Sequence, residues 1–200
     1  MAFRNYGPKT AYKEYTEFGN GKYRICWDPQ PCTVIDEKKS TVDVSTGEYI
    51  TTVFKEDPNN ITWMQETYNY KPEGSEIKDM ILSYFNSQVD KSILNDCKWT
   101  SPSTGEIIPI YLSSENQFNY KAAYDIAFQT SGASLPFVLK FGDTDNPHYY
   151  TFESLDEFTN FYTYCINFIN TTLQNGWTKK DSVDWTKYGI ESNVVEMEAE

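Results

Sequence analysis

The spacing of apolar residues changes at Lys71-Pro72-Glu73-Gly74, and this switch restricts the chain to folds that keep strands and helices apart. Beyond it, Ile77, Met80, Ile81, Tyr84 and Phe85 recur at three- and four-residue steps, which predicts a helix over 75–95 with Ser75 as its N-cap. Before it, short β-prone runs alternate with turn residues and no helical stripe emerges. The run 12–18, the turn Gly19-Asn20-Gly21 and the run 22–27 predict a hairpin, with positive φ at both residues of the Asn-Gly pair. Pro29 and Pro31 then interrupt the chain. A second hairpin is expected from 41–44 and 48–54 around Ser45-Thr46-Gly47, and 61–64 reads as one more short strand.

After the first helix, 99–112 reads as a hairpin turning at Pro102-Ser103-Thr104-Gly105. A second helix is expected from a capping box of Ser114 and Gln117, with Phe118, Ala122, Ala123, Ile126 and Ala127 facing inward and Gly132 ending it. Phe137, Leu139 and Phe141 alternate as a strand, Gly142-Asp143-Thr144-Asp145-Asn146 turns the chain, and 148–152 returns. The third helix starts at a capping box of Ser154 and Glu157. It carries Leu155, Phe158, Phe161, Tyr162, Cys165, Phe168, Ile169 and Leu173 inward, and Gly176 is expected to close it. The predicted class is therefore α+β: a small β-rich N-terminal region over 1–72, a domain of three helices and two hairpins over 73–187, and an acidic tail over 188–200.

Charge and composition exclude several functions. The net charge of -12 and the scattered Lys and Arg argue against direct nucleic-acid binding, which needs clustered cations. No run approaches the roughly 20 apolar residues of a membrane span, and the first residues lack a signal-peptide core, so the protein is expected to be made and folded in a cytosol. In that compartment Cys26, Cys32, Cys97 and Cys165 are expected to be reduced and packed as small hydrophobes. Aromatic content is high, with 16 Tyr, 12 Phe and 5 Trp, and such rings serve both cores and interfaces. Tyr12, Tyr15, Tyr23, Trp27, Trp177 and Trp185 are the candidate interface residues.

Chemical motifs fail one by one. Asp143-Thr144-Asp145 begins like a calcium loop, but Pro147, His148 and Ser154 occupy the positions that need a third oxygen ligand, a Gly and a Glu. Cys26 and Cys32 lack zinc-site spacing and the single histidine, His148, rules out a His-rich metal site. No nucleotide loop or nucleophile elbow is present. Asp156 and Glu157 suit the first turn of a helix, where they complement its dipole. Tyr149, Tyr150, Tyr162, Tyr164, Trp177 and Trp185 could stack a sugar or base, although core and rim is the commoner fate of such rings. The expectation is a protein with no active site, no cofactor and no metal.

Several features carry a family resemblance. They are the helix before Asn95-Asp96-Cys97-Lys98-Trp99, the turn 100–106, the helix with Ala122-Ala123, the step Gly132-Ala133-Ser134-Leu135-Pro136, and Ser154-Leu155-Asp156-Glu157-Phe158 opening a long last helix. In these the region 75–185 resembles an uncharacterised domain of tailed-phage tail-fibre and tail-fibre-assembly proteins. The Asn-, Tyr- and Asp-rich style is similar to that of crAss-like phages. The resemblance implies a non-enzymatic structural component of a tailed-phage virion, in the tail, a fibre or the head surface. Its partners would be other virion proteins, in many copies, with residues 1–70 docking on a partner and the C-terminal domain packing against neighbouring copies. The alternatives are a fibre-assembly chaperone that leaves the particle and, more weakly, a carbohydrate-binding module for a host glycan. The family brings no catalytic residues to transfer.

Overall fold

The structure, a computed structural model, describes residues 1–142 and 147–191. The chain is an α+β protein whose described residues fall in two compact units, one of 1–81 with 184–191 and the other of 82–142 with 147–183. The expected turn at 143–146 and most of the acidic tail lie outside the described residues.

The first unit is built on a four-stranded antiparallel sheet in the order β1-β6-β3-β2, with β1 Phe3–Pro8, β2 Tyr15–Glu17, β3 Tyr23–Ile35 and β6 Phe54–Tyr68. The β2–β3 hairpin forms as expected, with Tyr15 opposite Ile25 and Glu17 opposite Tyr23. Its turn differs in detail. Gly19 and Gly21 take φ 71° and 74°, while the Asn20 side chain accepts a 3.2 Å hydrogen bond from the Lys22 N–H.

Two strand expectations are corrected. Pro29 and Pro31 do not interrupt the chain; β3 passes through both, absorbing them as register shifts between Trp27 and Gln30 and between Pro31 and Thr33. Bulges are where a strand tolerates residues that cannot donate to the ladder. The short strand expected at 61–64 is the middle of the 15-residue β6, whose polar first half hides its strand character. Strand β1 has no counterpart among the expected strands. The expected second hairpin is β4 Thr41–Val42 with β5 Tyr49–Thr51, shorter than predicted because Phe54 belongs to β6.

Ile25, Cys26, Trp27 and Trp63 form the centre of this sheet and are buried. The end of the unit returns to the same sheet. Residues Trp185–Tyr188 form a 3-10 turn, and the buried Tyr188 hydroxyl donates to the Cys26 carbonyl at 3.1 Å. Ile190 packs against Gly74. The division between units falls inside helix α1, Gly74–Asn95, between Ile81 and Leu82. Ser75 lies in the first turn of α1 rather than at its cap; the Glu73 carbonyl accepts from the Ile77 N–H one step earlier.

In the second unit β7 Lys98–Thr100 and β8 Ile107–Pro109 form one hairpin, and β9 Phe137–Gly142 and β10 Pro147–Phe152 form another. Helices α2 Ser114–Gln129 and α3 Leu155–Asp181 complete the alternation of helix and hairpin. The α2 expectation is corrected twice. Its cap is Ser113, whose side chain accepts from the Asn116 N–H, and Gln117 instead donates to the Leu112 carbonyl at 2.7 Å. Its inward face carries Tyr120, Ala123, Tyr124 and Ala127, whereas Phe118 and Ile126 stand in solvent. Tyrosine rings supply the apolar area there: Tyr124 stacks on Tyr162 at 4.5 Å and Tyr120 meets Phe161 edge-on at 5.3 Å.

The core of this unit is largely aromatic. Trp99 sits at 5.3–5.6 Å from the rings of Tyr150, Phe152 and Phe161, and Phe152 stacks on Phe158 at 4.7 Å. Such pairs contribute about 0.5–1.5 kcal/mol each beyond the area they bury. Gly176 does not close α3, which continues to Asp181. It is buried where α3 meets Val89 of α1, and a Cβ there would overlap Val89 Cγ2. The glycine marks a close approach of two helices rather than a terminus.

Candidate functional site

The six candidate interface residues fall in different surroundings. Trp27 is 1% exposed and Tyr23 is buried, so both belong to the core of the first unit. Tyr12 lies edge-on to Trp63 at 5.9 Å. Burial pushes its hydroxyl well above the usual tyrosine range, and the Tyr188 hydroxyl bonded to it adds to the shift. Tyr15 meets Tyr23 at 5.9 Å, and the Tyr23 hydroxyl donates to Glu17 at 3.1 Å. Trp185 is half-buried with Lys78 Nζ 5.6 Å above its ring. Trp177, in the second unit, is 53% exposed and borders a cleft with Asn86, Val89, Leu173 and Lys180.

The structure therefore brings five of the six, Tyr12, Tyr15, Tyr23, Trp27 and Trp185, into one unit, but as packing more than as a free surface, and leaves Trp177 in the other. Tyr15 also lines a cavity of about 460 Å³ with Glu17, Lys71, Pro72, Glu73 and Tyr188. The exposed apolar side chains of this unit lie elsewhere. Beyond the end of β1, residues Thr33–Ile35 of β3 and Phe54–Glu56 of β6 continue as a two-stranded ribbon, followed in the chain by the β4–β5 hairpin. Val44, Ile50 and Phe54 of this ribbon and hairpin stand in solvent, as do Phe3 and Tyr6 of the edge strand β1. Neither set is among the six candidates. Alternation alone gives no sign that the outward apolar residues of a strand will lack a covering layer.

A polar cluster is buried in the second unit. Glu157 Oε1 accepts from the Tyr150 hydroxyl at 2.6 Å, from Ser103 Oγ at 2.6 Å and from Ser101 Oγ at 3.0 Å. Ser101 Oγ in turn accepts from the Thr104 N–H at 3.2 Å. The Glu157 N–H caps onto Ser154 Oγ at 3.3 Å, so the backbone half of the predicted capping box forms while the carboxylate turns to the β7–β8 hairpin. Burial alone would push this carboxyl up. The hydrogen bonds from Ser103, Tyr150 and Ser101 outweigh it and hold the group below the usual carboxylate range. Its place in the first turn of α3 favours the anion further.

A carboxylate held down in this way is a weak proton acceptor near neutral pH, where a general base needs a pKa close to the working pH. Its three hydroxyl donors are already directed at it. The cluster acts as a clasp joining β7–β8, β10 and α3. His148 does not join it: its Nε2 lies 3.7 Å from Glu106 Oε1, and its ring lies 6.4 Å from that of Tyr150. Among the described residues no group of three or more His, Cys, Asp or Glu could hold a metal ion, and no helix is long and apolar enough to cross a membrane.

Compared with family models, with curated proteins and with solved structures, the chain matches none.

Proposed function

We propose that this chain is a non-catalytic structural component of a tailed-phage virion, held to other virion proteins by protein–protein contacts. The observation that carries the reading is the extension of the first unit, made of the ends of β3 and β6 and the β4–β5 hairpin, which keeps Phe54 of β6, Ile50 of β5 and Val44 of the hairpin turn in water beside open strand edges. A narrow extension of this kind is costly to leave uncovered and well suited to lie along another chain, pairing by its edge and seating its apolar side chains. The net charge of -12 disfavours packaged nucleic acid as the partner and favours a protein surface. The resemblance of residues 75–185 to tail-fibre and fibre-assembly domains supplies the setting.

Quantitative mass spectrometry of purified particles tests the reading. A structural component appears at a fixed copy number per particle. Presence in infected-cell lysate with absence from particles would replace this reading with that of an assembly chaperone.

A further inference from the structure

The second unit contains two thiols that its proposed contacts do not use. We propose that Cys97 and Cys165 form a latent cross-link, closing into a disulfide between the residue that precedes β7 and the first half of α3 when a disulfide oxidant is supplied. This goes beyond the virion reading and does not depend on it.

The backbone geometry brings the two residues together. The Tyr164 hydroxyl donates to the Lys98 carbonyl at 2.7 Å, so the residue before Cys165 is tied to the residue after Cys97. One turn earlier on the same helix, Asn160 Oδ1 accepts from Trp99 Nε1 at 2.8 Å, and the Phe161 ring meets Trp99 at 5.3 Å. Residues 160, 161, 164 and 165 share a helix face, which lies along β7. The Cys97 carbonyl is held from the other side by the Ile110 N–H at 2.8 Å.

Both cysteines are free and belong to the same buried cluster, Cys97 at 0% and Cys165 at 2% exposure. Each thiol perturbs the other: the proximity of Cys165 holds Cys97 below the usual thiol range, and the proximity of Cys97 together with burial pushes Cys165 above it. The other two cysteines do not compete from within the fold. Cys26 and Cys32 lie six residues apart along β3, a separation on the order of 20 Å in extended chain, whereas a disulfide needs Cα atoms within about 7 Å.

With oxidised glutathione as oxidant, the Cys97 thiolate attacks one glutathione sulfur. The glutathione S–S bond breaks and a first glutathione leaves as the thiol. Cys165, deprotonated, then attacks the Cys97 sulfur of the mixed disulfide and the second glutathione leaves. The two thiol protons end on the two glutathiones, and the two electrons given up by the cysteines reduce the glutathione disulfide.

Burial limits access in the folded state, so the test is refolding. The full chain is unfolded in urea with reductant and refolded in a reduced/oxidised glutathione mixture. Intact mass, thiol counting and peptide mapping then follow. The expected product is monomeric, lighter by the mass of two hydrogens, with two of its four thiols lost and a single cross-linked peptide joining Cys97 to Cys165. Cys165→Ser should abolish that product while still folding. A Cys26–Cys32 link, a scrambled mixture, intermolecular dimers, or a refolded chain that keeps all four thiols would each overturn the proposal.

Discussion

Glu157→Gln removes the charge from the buried clasp and changes little else. In the wild-type protein three hydroxyls donate to one carboxylate oxygen, at 2.6, 2.6 and 3.0 Å. A hydrogen bond to a charged group contributes about 1.5–3 kcal/mol and a neutral one about 0.5–1.5 kcal/mol, so three such bonds lose on the order of 3 kcal/mol. Gln is less costly to bury than a carboxylate, which offsets part of that loss. The expected destabilisation at pH 7 is about 1–3 kcal/mol. The sign of the pH dependence follows from the lowered carboxyl. Its stabilisation is fully present above the unfolded-state value of 4.5 and is lost as pH falls through the lower folded-state value. Urea unfolding at a series of pH values should therefore give a wild-type curve that drops on the acid side and converges on that of E157Q, which lacks this component. A variant as stable as wild type at pH 7, or one showing the same acid-side drop, would refute the account of the clasp.

Gly176→Ala separates close packing from helix termination. Alanine improves helix propensity by about 1 kcal/mol, but its Cβ overlaps Val89 Cγ2, and overpacking costs about 1–3 kcal/mol. The variant should lower the urea midpoint, and in a Val89→Ala background the same change should raise it. Ser113→Ala should cost about 1 kcal/mol by loss of the α2 cap, and Ser114→Ala less than about 0.5 kcal/mol, as compared by thermal unfolding; the reverse order would restore the capping box expected from sequence. Tyr188→Phe should destabilise the first unit by about 1–3 kcal/mol, because the buried Cys26 carbonyl loses a donor, and hydrogen exchange should rise in β3; an unchanged pattern would show that the C-terminal turn does not secure the sheet.

The fold was most legible where local chemistry and packing agree. Ser154 caps α3, Phe158, Phe161 and Cys165 face inward, and the strand run Phe137, Leu139, Phe141 alternates as expected. Errors came where a residue serves long-range packing. Gly176 has a terminator's identity but a packing role, and Tyr120 and Tyr124 fill a core face that Phe118 and Ile126 were expected to fill. The β3 prolines are accommodated by register shifts, which depend on how β6 pairs and leave no local signature. The same limit applies to the candidate site. Trp177 is exposed and Trp27 buried, although both are tryptophans beside polar residues, because the covering elements come from distant parts of the chain. The Glu157 clasp joins residues 101, 103, 150 and 157, which no sequence spacing connects.

The apolar extension carries the functional reading, so its removal tests that reading most directly. Ile50→Thr and Phe54→Thr keep strand propensity, Val44→Thr changes a turn residue, and all three alter side chains that stand in solvent, so the fold should retain its stability within about 0.5 kcal/mol. Wild-type and triple-variant chains, distinguished by isotope label, are supplied together during assembly and their ratio is measured in purified particles. The account predicts several-fold depletion of the variant in particles relative to the lysate. Equal incorporation of a variant with unchanged stability would contradict it.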